Sequence, residues 1–107
     1  MVDHLLVTTT TPDRETAARL ASSAVAAKLA ATAQVHGPIE SYFWHLGKAG
    51  AGEEWIATFK TTSDRYEDLE SHLIAEHCWN KPEVTAIKLD RGSADYLRWV
   101  ETSTTSD

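Results

Sequence analysis

Glu76, His77 and Cys78, followed after Pro82 by Glu83, put a carboxylate, an imidazole, a thiol and a second carboxylate into one short stretch. Imidazole, thiolate and carboxylate together form a donor set for Cu or Zn. Four preorganised ligands cannot be counted there, so the stretch points to a weak or subunit-bridging site, not a closed structural one. A plainer reading uses the same residues. His77 then closes the C-terminus of a helix, where a donor stabilises free carbonyls, and Cys78 is a small hydrophobe. The other histidines, His4, His36, His45 and His72, show no pair spaced four apart on a helix, and each reads as structural. Trp79, beside the Asn80-Lys81-Pro82 turn, suits stacking on a ligand or anchoring a neighbouring subunit. Interfaces are enriched in Trp, which favours the anchor.

Catalytic signatures are missing. There is no Gly-x-Ser-x-Gly elbow and no phosphate-cradling glycine loop ahead of a helix; the flexible segment from Gly47 to Gly52 joins two strands instead. Asp64, Glu67, Asp68 and Glu70 read as the solvated face of a helix. No catalytic residue is assigned.

The chain has 107 residues and a formal charge of −6. That length fits one domain, expected over residues 1–101, with residues 102–107 a small polar tail expected to be disordered. The negative balance argues against phosphate-backbone partners, and the aromatic and basic strand motif of sheet-face RNA binders is absent. Cys78 is the single cysteine and cannot form an internal disulfide, and the first residues lack the pattern of a secretory signal. A reducing, cytoplasmic setting is expected. No apolar run approaches the ~20 residues needed to cross a bilayer, so no membrane insertion is expected.

The elements that must position these residues are organised around Val35 to Lys48, which reads as a long, bent strand broken once at Gly37-Pro38. Ile39, Ser41, Phe43 and His45 fall on one face of its pleat, and Glu40, Tyr42, Trp44 and Leu46 on the other. Both faces are largely apolar and need cover. Before it, His4 to Thr10 reads as a strand, and a helix follows with Thr11 as N-cap, Pro12 at its first position and Ala17, Leu20, Ala21, Ala24, Val25 and Leu29 as its apolar stripe. After it, Ala49 to Gly52 reads as a flexible hairpin connection, and Glu53 to Lys60 as the returning strand. A second helix is expected from Ser63 or Asp64 to Glu76, with Asp64 and Glu67 resembling a capping box and Tyr66, Leu69 and Leu73 facing inward. A fourth strand, Glu83 to Leu89, and a short helix capped by Ser93, with Tyr96, Leu97 and Val100 inward, complete the chain.

This order is the α+β, ferredoxin-like, split βαβ sandwich: βαββαβ plus a C-terminal helix, with an extended central hairpin and both longer helices on one face. The other face is left bare, with several of Tyr42, Trp44, Trp55 and Phe59 expected on it. An exposed aromatic patch of that kind marks an association surface, so Tyr42, Trp44 and Trp55 are expected at an oligomer interface.

Several stretches in order also match one family. They are Val7-Thr8, Leu29-Ala30-Ala31, Ser41-Tyr42 with Trp44 and Gly47-Lys48, Glu54, Lys60-Thr61, His77 with Pro82-Glu83, and Tyr96-Leu97 with Trp99. Through them the chain resembles the CutA divalent-ion tolerance family from Leu5 to Trp99. The resemblance implies a ferredoxin-like homotrimer whose long hairpins pair between subunits. It also implies a link to copper tolerance and copper binding and does not firmly imply an enzymatic activity; neither catalysis nor an organic cofactor is expected. His77 and Glu83 carry over directly. The family usually has His-Pro-Tyr-Glu where this chain has His77-Cys78-Trp79-Asn80, and commonly Cys where Thr32 stands. A carboxylate is therefore lost and a thiol gained, and Cys78 is the candidate replacement ligand. The resulting expectation is a non-enzymatic homotrimer binding copper or another divalent cation through His77, Cys78 and Glu83 near subunit clefts. Two alternatives stay open: a trimeric, PII-like small-ligand sensor with Lys60, Trp79 and Glu83 lining an inter-subunit pocket, and a cofactor-free ferredoxin-like monooxygenase or isomerase using His77 as general base.

Overall fold

A computed structural model describes residues 2–105. Its elements are β1 (His4–Thr11), α1 (Arg14–Ala26), β2 (Thr32–His45), β3 (Lys48–Thr62), α2 (Tyr66–Glu76), β4 (Thr85–Lys88) and α3 (Ala94–Ser103). The strands form one antiparallel sheet in the order β2-β3-β1-β4. The two strand-helix-strand halves interleave, which is the expected split βαβ arrangement.

Alternation along β1 and β3 decides what is buried. Val7, Ala57 and Phe59 point to one face, where Ala17, Leu20 and Ala24 of α1 and Leu69 and Leu73 of α2 close over them. The alanines of α1 allow that helix to lie close to the sheet. Ala17, Leu20 and Ala24 are fully buried, whereas Val25, on the edge of the expected stripe, stays exposed. Phe59 and Trp55 were expected on the bare face and belong to this covered one. Phe59 is fully buried, and Trp55 packs partly buried against the core. The opposite face carries Leu6, Thr8, Thr10 and Ile56. It receives α3 at one end, where the His4 Nε2 lies 2.8 Å from the Glu101 carboxylate.

Several boundaries differ from the sequence reading for local reasons. Thr11 ends β1 and donates its hydroxyl to the carbonyls of Asp13 and Trp55, so Asp13 is the N-cap of α1, accepting the Thr16 N–H at 2.8 Å. α1 ends without glycine. Lys28 takes φ +62°, and the Lys28 and Leu29 amides return to the Val25 and Ala24 carbonyls in a Schellman closure. The hairpin turns at Leu46-Gly47, both with positive φ, as a two-residue turn between strands of this twist requires. The Ala49-Gly52 run is therefore strand, with the Phe43 ring lying across Gly50 and Gly52. The expected capping box of α2 does not form, since Arg65 is the N-cap position and makes no side-chain cap bond. β4 is a four-residue exposed edge, shorter than expected. The expected tail is partly helix: α3 continues to Ser103, and Thr104 is buried with its hydroxyl donating to the Val100 carbonyl. Residues 106–107 lie outside the described residues.

Phe59→Ala leaves a cavity between both helices and should cost about 3–5 kcal/mol in a denaturant titration, a loss below ~1 kcal/mol being incompatible with this core. Hydrogen bonds from the Thr16 backbone N–H and then from its side chain hold the Asp13 carboxyl below its ordinary value of 3.8. A lowered carboxylate stabilises the fold above its unfolded pKa and loses that contribution as pH falls through the folded one. Asp13→Ala should therefore lower the melting temperature at neutral pH, and the gap from the parent protein should narrow progressively below pH 3.8; a gap independent of pH would rule out the charged cap.

Candidate functional site

α2 stops because His77 leaves the helix with φ −74° and ψ 150° while its amide still reaches the Leu73 carbonyl. Arg19 of α1 donates to the Glu76 carbonyl at 3.0 Å and thereby satisfies one of the free acceptors at this helix end. The His77 side chain turns inward and is 9% exposed. Its Nε2 lies 2.8 Å from the Thr10 carbonyl, and its Nδ1 lies 3.0 Å from the Trp79 amide. A carbonyl only accepts, so Nε2 carries the proton and Nδ1 accepts from Trp79. The imidazole is thus a neutral tautomer with both nitrogens engaged. The Trp79 indole stands against it at 5.2 Å between centroids, tilted 34°.

The neighbouring donors lie differently. Cys78 is a free, exposed thiol. Glu83 is exposed and accepts the Thr85 hydroxyl at 3.0 Å. Among the described residues, no group of three or more His, Cys, Asp or Glu converges in a way that could hold a metal ion. His77, Cys78 and Glu83 are close in sequence without forming one coordination sphere. Lys60 is half-buried opposite Leu6, four residues along β1 from the Thr10 carbonyl that holds His77. That spacing is about 13 Å along a strand, so Lys60 and the His77–Trp79 pair do not meet directly through this part of the sheet.

The remaining histidines are divided. His4 meets Glu101, and the His72 Nε2 lies 2.8 Å from the Ser23 hydroxyl, while His36 and His45 are exposed. Tyr42 and Trp44 stand on the outer hairpin at 77% and 79% exposure, whereas Trp55 is held under Gly37. A cavity of about 350 Å³ opens between Thr62, Arg65, Glu101 and Thr104, and a shallower one lies on the hairpin between Glu40, Tyr42 and Glu53. Neither is lined by His77, Cys78 or Glu83. The partner that decides the state of His77, the Thr10 carbonyl, carries no sequence signal, because every residue has a carbonyl and this one is 67 positions away.

Comparison with known proteins gives a consistent result. The model of the family described as CutA1 divalent ion tolerance protein matches residues 5–103. The divalent-cation tolerance protein CutA of Archaeoglobus fulgidus is 33% identical over 98 residues, covering 92% of this chain and 95% of the relative. The chloroplastic protein CutA 1 of Oryza sativa is 35% identical over 103 residues, covering 96% of this chain and 58% of the relative. The chain thus spans a little over half the length of such plant relatives. Among solved structures, CutA1 from Oryza sativa superposes with a TM-score of 0.93 at 33% identity, covering 98% of this chain and 96% of that one. The periplasmic divalent cation tolerance protein CutA from Archaeoglobus fulgidus superposes with a TM-score of 0.91 at 31% identity, covering 95% and 99%.

The exposure of Cys78 is directly measurable. A thiol reagent should label the native protein to about one equivalent per chain at a rate close to that of the denatured chain, because accessible thiolate governs the reaction. Labelling slowed by about a hundredfold would place Cys78 under cover in solution.

Proposed function

Because the chain belongs to the CutA1 divalent ion tolerance family, we propose that it is a cytoplasmic homotrimer that acts in tolerance by binding divalent cations, copper foremost, without catalysing a reaction. The observation that carries the reading is similarity over residues 5–103 to a family whose archaeal and bacterial relatives are named for divalent-cation tolerance. An exposed thiol suits copper or zinc, since soft sulfur ligands bind both, and copper is put foremost on the family resemblance. Cys78 and Glu83 are the proposed donors. Among the described residues Cys78 and Glu83 belong to no group of three or more such donors, so the proposed site lies at a subunit cleft and draws further ligands from a neighbouring copy. Tyr42, Trp44 and Leu46, exposed along the outer hairpin, support association through that element.

Sedimentation should give about three times the 11.8 kDa chain mass; a single-chain mass would overturn the trimer. Calorimetric titration with Cu(II), Zn(II) and a buffered Cu(I) donor should give saturable binding that Cys78→Ala weakens by at least about tenfold, or ~1.4 kcal/mol, with the oligomer intact. Absence of binding tighter than about millimolar, ~4 kcal/mol, overturns the cation reading. The search then turns to small metabolites in the subunit clefts, where Lys60 of one copy and Trp79 of another could line a shared pocket.

A further inference from the structure

We infer that His77 is a positioning residue, whose imidazole clasps the Cys78–Trp79 turn onto the end of β1, and that it is not itself a cation ligand of this chain. The two ring nitrogens are divided between backbone groups from different parts of the molecule, Nε2–H to the Thr10 carbonyl at 2.8 Å and Nδ1 from the Trp79 amide at 3.0 Å. Ligation needs a bare nitrogen lone pair. At Nδ1, a metal would have to displace the Trp79 amide. At Nε2, it would have to displace both the proton and the Thr10 carbonyl. His77 as a residue is 9% exposed, so neither displaced group is readily repaid by water.

The bond from the Trp79 amide to the side chain two residues earlier has the form of an Asx-turn, with imidazole Nδ1 in place of an amide oxygen. That turn fixes where the chain goes immediately after α2. It leaves the Cys78 thiol exposed while holding the Trp79 indole against the imidazole. His77 thereby sets the position of groups that can contact a cation or a neighbouring copy without contacting the cation itself. The part of the inference that concerns ligation rests on the cation-binding reading above; the clasp does not.

A long-range proton–nitrogen NMR spectrum of the intact protein should show the neutral Nε2–H tautomer with an unprotonated Nδ1, and the opposite tautomer overturns the clasp. His77→Ala should speed exchange of the Trp79 amide by at least about tenfold, whereas His77→Asn, whose Oδ1 can stand in for Nδ1, should restore most of the protection. Unchanged exchange in His77→Ala overturns the clasp. In the cation titration, His77→Asn should keep the parent affinity for Cu(II) within about twofold, while a loss of about tenfold or more with Trp79 protection retained makes His77 a ligand and overturns the inference. If the parent protein binds no ion, the cation reading fails and the tautomer and exchange measurements decide the clasp. If His77→Ala does not fold, the parent tautomer and the His77→Asn titration decide both halves.

Discussion

Fifteen residues of β3 span about 50 Å when extended, whereas the thirteen residues of α1 cover about 20 Å. The sheet therefore outruns the helices that cover it, and the molecule is drawn out to 44 Å along its longest axis against 25 and 21 Å across. Near β1 the strands are buried by α1 and α2, and Val7, Ala57 and Phe59 are sealed from water. Farther along the hairpin the same strand chemistry continues with no helix above it. Tyr42, Trp44 and Leu46 remain exposed for this reason. Stability is supplied at one end of the hairpin, and an unmet demand for burial is created at the other.

For the outer hairpin to exist without helical cover, its register has to be fixed from within. The positive φ values of Leu46 and Gly47 set the tight turn, and the pairing runs from His45–Lys48 to Ile39–Glu54 before it shifts between His36 and Ile39. Phe43 then compensates for the missing side chains of Gly50 and Gly52 by lying over both. Composition alone points to the wrong turn: Ala-Gly-Ala-Gly has the composition of a loop, while Leu46-Gly47 lacks the Asn or Asp that announces a two-residue turn. The glycines are strand residues because an aromatic on the facing strand occupies their space. That pairing is known only once the register is known.

Much of the architecture was legible, because apolar periodicity reports burial directly. The order of elements, the inward stripe of α1, and Leu69 with Leu73 in α2 all follow from it. Trp55 and Phe59 share one side of β3 with Ala57, opposite Glu54, Ile56, Thr58 and Lys60, but which face of the sheet that side joins was not legible, and only pairing with β1 shows that Val7 and Phe59 share the helix side. His77 is a different kind of limit. Its neighbours Cys78 and Glu83 suggest coordination, but the availability of an imidazole is set by what its two nitrogens already hold. One of those partners is a backbone carbonyl on another element, and composition cannot reveal it.

Under the cation-binding reading, the two incomplete features of the chain have a common resolution. The outer hairpin lacks cover, and the donors around Cys78 and Glu83 lack a complete coordination sphere. A neighbouring copy can supply both, and a cation held between copies then binds the assembled state better than the separated chain. By linkage, such an ion stabilises the assembly by RT ln(1 + [L]/Kd), about 2.7 kcal/mol at a hundredfold excess over Kd. The ion and the aromatic hairpin would then act on the same equilibrium, since the Thr10 carbonyl that holds the His77 turn lies at the end of β1 nearest the outer hairpin. His77 contributes to that equilibrium indirectly, since a turn pinned to β1 costs less ordering when a ligand or subunit engages it than a free one would.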